Sequence, residues 1–401
     1  MHLTRLSLTN FRAFTRLDMD VPRRLLLLVG DNAQGKTSIL EAIYYLATFT
    51  SLQAQADRQL ISFMASSEPT AVTRLVAEYQ RRGRPHKLEA RLILDSTATN
   101  GGRLRKEILV DGVKRPAHEA MGAFNAVIFM PQMTRILEEG PDERRRYLNL
   151  ALSQAVPGYA LALSEYNQIV TQRNALLKQL AERSSSDGDQ LAYWDDLLSQ
   201  RGAVLIHARI AAVEELERLT SRIHHRLTHS GEILRMVYQP SYDPLGIPEG
   251  QYSLPLQTTQ TYRNNFTREQ IQKGFLARLA ALRQEEIARG VTTVGPHRDE
   301  MRFLANGVDL GDFGSRGQVR TALLALKLAE VAWLRERTGE MPVLLLDEIL
   351  AELDTQRRSD LQIFLSESEQ VMMTTTDLNL FDPEFVDQST VWNIKAGCVV
   401  T

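Results

Sequence analysis

An α/β fold assembled from both ends of the chain, with a mainly helical segment inserted between them, is the architecture the sequence predicts. Three observations carry it. Strand-type runs fill the first 30 residues and return at 343–346 and 371–374. Apolar residues recur at helical spacing through much of 141–289. A glycine-rich turn stands between a continuously apolar run, 25–29, and a helical one, 36–47.

Each element has its own reason. Leu3, Leu6 and Leu8 stand apolar among polar neighbours, and Leu17, Met19 and Val21 alternate, as half-buried strands do. The run 25–29 suits a strand buried on both faces. Residues 72–95 read as two strands split by the polar stretch 80–85, and 107–114 as a hairpin turning at Asp111-Gly112. A short strand at 126–129 is stopped by Pro131, and Pro141 suits the first position of a helix. Residues 183–190, which include Ser184, Ser185 and Ser186, read as an exposed linker. A long amphipathic helix follows at 192–229, a strand near 233–238 and another helix at 267–289. A helix at 316–338, a buried strand at 343–346, a helix at 355–366 and a strand at 371–374 complete the pattern. The expected division is a head built from 1–130 and 286–401, with a helical arm at 131–285.

Composition narrows the class. Hydrophobic residues make up 43% of the 401, enough for a sizeable core, and the net charge is −2. Bulk charge therefore does not advertise a nucleic-acid partner, and any basic surface must come from local clustering. The single cysteine, Cys398, excludes an intrachain disulfide framework and a cysteine-rich zinc site, and fits a reducing cytosol. The charged, alternating start does not read as a signal sequence, and no apolar run is long enough to cross a bilayer. No membrane partner and a cytoplasmic location are the expectations.

The chemistry is concentrated in a few places. Gly30-Asp31-Asn32-Ala33-Gln34-Gly35-Lys36-Thr37 matches the phosphate-loop pattern G-x-x-x-x-G-K-[ST] in full, after a buried strand and before a helix. Glycines let the backbone turn its N–H groups toward phosphate oxygens, and the helix N-terminus adds partial positive charge. Lys36 supplies a full charge to the β- and γ-phosphates, Thr37 offers a hydroxyl to Mg²⁺, and Ser38 is a further candidate contact. Asp347 and Glu348 terminate the buried run 343–346. Alone, such a pair is an ordinary solvated turn. Beside a phosphate loop, Asp347 reads as a Mg²⁺ ligand and Glu348 as the group that polarises the attacking water. Gly314-Ser315-Arg316-Gly317-Gln318 leads into a long helix and resembles the ABC signature, whose Ser and Gly grip the γ-phosphate bound to the opposite subunit.

The order of these motifs resembles the RecF family of ABC-type ATPases, in the group that also contains SMC proteins. Residues 8–12, 40–46, 128–131, 140–146 and 172–178 are similar to stretches of that family, and Gly295-Pro296-His297-Arg298-Asp299 is the most specific. The resemblance covers residues 3–377. It implies an ABC-type head formed from both chain ends with an inserted helical arm. ATP and Mg²⁺ are then the cofactors, and Ser315, Arg316, Gly317, Gln318 and Asp354 lie at the interface of an ATP-dependent homodimer. It further implies slow DNA-stimulated hydrolysis, binding to double-stranded DNA and gap junctions, and RecR as a partner that leads to RecO and RecA in repair and the SOS response. Gln132 stands where a Mg²⁺-sensing group is expected. There are departures: Ala33 stands where the family usually has Gly, Arg316 and Val319 vary the signature, and Ser51-Leu52-Gln53 lacks the usual basic residue. Residues 374–377 hold no switch histidine of the transporter kind.

Arg81, Arg82, Arg84, His86 and Lys87 cluster in one expected turn, and Arg103, Arg105, Lys106, Lys114 and Arg115 follow in neighbouring hairpins. Such residues are ordinarily just solvated; together they could form a ridge on DNA phosphates. Three other classes share parts of the pattern. A transporter ATPase subunit conflicts with the arm and the Gly-Pro-His-Arg segment. An SMC-type organiser needs long coiled coils, and no sustained heptads occur here. A nuclease-coupled defence ATPase lacks a nuclease-like metal cluster in this sequence.

Overall fold

A computed structural model of the chain describes residues 1–66, 68–97, 103–183, 188–229, 231–246, 263–395 and 398–400. The serines expected in a linker, 184–186, lie outside the described residues. Two compact units are present, 1–133 with 327–401, and 134–326. Residues 286–326 thus count with the second unit.

The first unit opens with β1 (His2–Phe11), β2 (Phe14–Asp20), β3 (Arg24–Val29) and α1 (Lys36–Thr48). After α2 (Phe63–Ser66) come β4 (Thr70–Arg81), β5 (Arg84–Asp95), β6 (Arg103–Val110) and β7 (Val113–Arg115). One-turn helix α3 (Ala117–Ala120) precedes β8 (Ala126–Phe129). An antiparallel sheet runs β2-β1-β4-β5-β6-β7. Leu6, Leu75, Leu92 and Ile108 are among the side chains buried in it, and charged residues share its opposite face. Arg82-Gly83 and Asp111-Gly112 both have positive φ, the two-residue turn whose twist matches the strands it joins.

The second unit contains α4 (Arg135–Glu138), α5 (Pro141–Ala155), α6 (Tyr159–Glu182), α7 (Ala192–Leu227), β9 (Leu234–Gln239) and α8 (Arg268–Arg289). Pro141 occupies the first turn of α5, and Thr267 with Gln270 closes a reciprocal cap on α8. Strands β10 (Glu300–Ala305) and β11 (Val308–Asp309) follow, giving a small antiparallel sheet β11-β10-β9. Helix α9 (Leu310–Phe313) leads to α10 (Arg316–Thr338), which starts in this unit and ends in the first.

The interior of the second unit is unusually charged. Arg173 is fully buried against Asp195 and Glu286, at 2.8 and 2.7 Å. Arg209, also buried, reaches Asp299 at 2.7 Å, the Pro296 carbonyl at 2.5 Å and Asn149 at 2.9 Å. Isolated buried charges are expensive, but these are paired and hydrogen-bonded on several sides, which is the arrangement that makes them tolerable.

Back in the first unit, β12 (Val343–Asp347), α11 (Thr355–Ser366), β13 (Gln370–Thr375), α12 (Pro383–Asp387), β14 (Thr390–Lys395) and β15 (Cys398–Val400) complete the chain. A second sheet runs β15-β14-β3-β13-β12-β8, parallel except at β15. Leu25–Leu28 and Val343–Leu346 are buried throughout, which is why these runs are continuously apolar rather than alternating.

Candidate functional site

Because β3, β13, β12 and β8 are parallel, the loops that leave them gather at one edge, the carboxyl edge where open α/β sheets bind ligands. The loop after β3 is the phosphate-loop segment. A Cβ on Gly30 would come within 2.4 Å of the Ile394 carbonyl oxygen. Gly35 has φ 101° and caps α1, and a Cβ there would meet Phe14 at 2.9 Å. Both positions therefore require glycine. Between them Asp31, Asn32 and Ala33 are exposed, and Ala33 takes a left-handed φ of 63°. The first bond of α1 runs from the Ile39 amide to the Gly35 carbonyl at 3.2 Å, so the amides of Lys36, Thr37 and Ser38 have no intrahelical acceptor and suit an anion.

Lys36 is only 4% exposed. Its Nζ donates to the Gly30 and Asp31 carbonyls at 2.5 and 2.9 Å and lies 3.3 Å from Glu348 Oε1. An ammonium has three protons, and three acceptors surround this one. Thr37 donates to Asp347, with Oγ1 at 2.8 Å from Oδ1 and 3.1 Å from Oδ2. On the neighbouring strand, Thr374 Oγ1 donates to the same Oδ1 at 2.7 Å and accepts the Glu348 amide at 3.0 Å. Burial raises the Asp347 carboxyl above the ordinary carboxylate range, with the Glu348 charge adding to that and the two threonine hydroxyls opposing it. Glu348 itself sits at φ 50°, ψ 23°. That left-handed conformation costs an L-residue roughly 1–2 kcal/mol, and such strain collects at functional positions.

The structure thus brings Lys36, Thr37, Asp347 and Glu348 together. Gln132 follows β8, which ends at this same sheet edge, but the hydrogen bond its amide makes is to Met130 Sδ at 3.6 Å. Asp354 caps α11, accepting from the Arg357 amide at 3.0 Å and pairing with its guanidinium at 2.5 Å. Ser315 and Gln318 lie in the second unit, where they form a reciprocal cap on α10 at 3.2 and 3.0 Å. Gln318 also donates to Glu232 at 2.8 Å. Ser315, Arg316 and Gly317 are exposed, and Val319 is the first buried residue of the helix.

The basic residues do not form one cluster. Only Arg82-Gly83 makes the turn; Arg84, His86 and Lys87 lie on β5, and Lys87 is 3.6 Å from Glu78. Arg81 is tied to the Gly122 and Ala123 carbonyls at 2.6 and 2.8 Å, and the Arg82 amide is held by Glu340 at 3.0 Å. Arg103 and Arg105 share one face of β6, as the two-residue period requires. Lys106 is turned to the other face, held by Asp57 at 2.6 Å and the Phe49 carbonyl at 2.7 Å above the Tyr45 ring, which corrects its grouping with the arginines.

Residues 2–391 match the RecF/RecN/SMC N terminal domain model. The RecF proteins of Herpetosiphon aurantiacus and Roseiflexus castenholzii, described as DNA replication and repair proteins, are 36% and 37% identical to the chain. The matches cover 100% and 99% of this chain and 99% of each relative. The chain belongs to the RecF family. A solved structure of the recombination mediator protein RecF-ATPrS in the RecFOR pathway superposes on this RecF-family chain with TM-score 0.81 at 30% identity, over 99% of this chain and 97% of that one. Its RecF-ATP counterpart gives 0.80 at 30% identity, over 99% and 96%. The SmcHead bound to the C-winged helix domain of ScpA gives 0.52 at 13% identity, over 100% and 96%, a likeness of fold alone. The fold is that of an ABC-type ATPase head with an inserted helical arm.

Sequence reasoning missed one participant. Thr374 drew notice only because no histidine stands in 374–377, and its two bonds to the acidic pair depend on strand register, Thr374 opposite Asp347, which one sequence does not display.

Proposed function

We propose that this chain is an ATP-dependent clamp on DNA, acting in replication and repair. The observation that supports it most is the convergence of Lys36, Thr37, Asp347 and Glu348 at one sheet edge, in a chain whose relatives are RecF proteins. ATP lies along the loop 30–37, with Lys36 on its β- and γ-phosphates and the free amides of α1 on phosphate oxygens. The oxygen donors Thr37 and Asp347, 2.8 Å apart with the carboxylate buried, fit a Mg²⁺ ion, which when bound neutralises charge on the phosphates. Glu348 takes the proton of the attacking water. Ser315 to Gln318 and Asp354 meet the nucleotide held by a second copy, so ATP favours the closed dimer and hydrolysis reopens it. By family likeness, the bound DNA is duplex and gap junctions, RecR is the partner leading to RecO and RecA, and the setting is the cytoplasm.

Two measurements test this. Hydrolysis should be slow and should rise with duplex DNA and with protein concentration. Glu348→Gln should bind ATP, hydrolyse it roughly a hundredfold or more slowly, and accumulate as dimers on light scattering. Normal turnover by that variant would remove Glu348 from its role, and indifference to DNA would point to a different partner.

A further inference from the structure

Three threonines stand in succession at the end of β13, and they do different things. Thr376 is exposed. Thr375 serves its own turn, donating to the Asp377 carbonyl at 2.9 Å and accepting the Asp377 amide at 3.1 Å. Thr374, 2% exposed, is the one aimed at the acidic pair.

Its hydrogen bonds have only one sense. A carboxylate accepts and does not donate, so the hydroxyl proton of Thr374 goes to Asp347 Oδ1, and a lone pair of the Thr374 hydroxyl oxygen takes the Glu348 N–H. The pairing of β12 with β13 ends at Asp347, so the Glu348 amide has left the strand ladder, and Thr374 supplies its acceptor. Asp347 Oδ1 also receives Thr37, which fills both of its lone pairs and leaves Oδ2 the less engaged oxygen. One buried hydroxyl therefore ties together, with Thr37 on the same carboxylate, the rotation of one acidic side chain and the left-handed main chain of the next residue.

We propose that Thr374 is a positioning residue for ATP hydrolysis, its hydroxyl holding the Asp347 carboxylate and the Glu348 backbone in the single arrangement from which both act. The inference rests on the roles given above to Asp347 and Glu348. It explains why a valine, which fits the same space in a parallel strand, would not serve at 374.

The test compares Thr374→Val, which removes the hydroxyl at similar volume, with Thr374→Ser, which keeps it, and with Glu348→Gln, all in the full chain. Thr374→Ala is a second hydroxyl-free variant should the valine perturb folding. Two quantities are read: steady-state ATP hydrolysis, and equilibrium binding of a fluorescent ATP analogue with and without Mg²⁺. Loss of the hydroxyl should lower kcat roughly tenfold to a hundredfold while KM stays within about threefold. The gain in analogue affinity on adding Mg²⁺ should shrink several-fold, and serine should restore both. If Thr374→Val turns over like the parent while Glu348→Gln does not, the inference is overturned and the reading of Glu348 stands. If serine is as impaired as valine, the methyl group and its packing matter rather than the hydroxyl, and the inference is again overturned. Normal turnover by Glu348→Gln would remove both together.

Discussion

Ala33 shows how a single departure from a motif can be weighed. Its φ of 63° lies in the left-handed region, where Cβ crowds the following carbonyl, and its side chain is exposed, so it gains nothing from burial. This is the physical reason that a glycine is usual at the position. Ala33→Gly relieves the crowding but loosens the unfolded chain, and the first effect is the larger. The expected result is a gain of about 0.5–1 kcal/mol, read from the urea midpoint. A loss would mean that the loop does not hold Ala33 at this angle. Glu348 carries the same kind of strain, but there Thr374 and Lys36 hold it from both sides.

At the scale of elements, what the sequence displayed depended on whether a local signal existed. The runs 25–29 and 343–346 were legible because a strand buried on both faces needs every residue apolar. Asp111-Gly112 was legible as a turn. Asn306-Gly307 carries the same signal, both residues at positive φ between β10 and β11. The caps Thr267/Gln270 and Ser315/Gln318 follow a readable S/T-x-x-Q spacing. Buried Arg173 and Arg209 gave no signal, since an arginine within a helical period reads as surface and only tertiary contact brings its carboxylates to it.

The 292–299 segment makes a pH prediction. His297 Nε2 donates to the Thr292 carbonyl at 3.2 Å, and Nδ1 lies 2.7 Å from the Tyr166 hydroxyl, which donates to it when the ring is neutral. Burial lowers its pKa from the ordinary 6.5 to about 4. The unfolded chain takes up a proton near pH 6.5 that the folded chain refuses until about 4, so the stability tied to His297 is full above 6.5 and is lost as pH falls toward 4. The loss is on the order of 3 kcal/mol at most. Replacing His297 with Gln, which can also donate and accept, should shrink the fall in urea midpoint between pH 7 and pH 4.5. An equal fall in both proteins would show that other groups govern the acid limb.

For the whole molecule, the question is how a chain of net charge −2 would hold a polyanion. Long-range attraction is weak, because salt screens charges beyond roughly 8 Å, so binding has to come from a local patch. On the charged face of the antiparallel sheet much of the basicity is already spoken for: Arg74 and Arg91 share Glu89 at 2.7 and 2.5 Å, and Lys114 and Arg105 share Glu107 at 2.8 and 3.6 Å. Arg82 and Arg84 border the β4–β5 turn, whereas Arg103 and Arg105 pair with Asp95 and Ile93 at the far end of β5, so they offer two separate basic sites. Changing these four to Glu should weaken duplex binding and lower the slope of log affinity against log salt by up to about 4, since each phosphate contact contributes roughly 0.9. Unchanged affinity and slope would rule these four residues out as DNA contacts. Lys106→Glu separates the two readings of a basic residue here. Its partner is Asp57, so reversal sets two carboxylates at the place of an ion pair, half-sheltered from solvent. Stability should fall while the salt slope per folded molecule stays as it was; a lowered slope would make Lys106 a DNA contact.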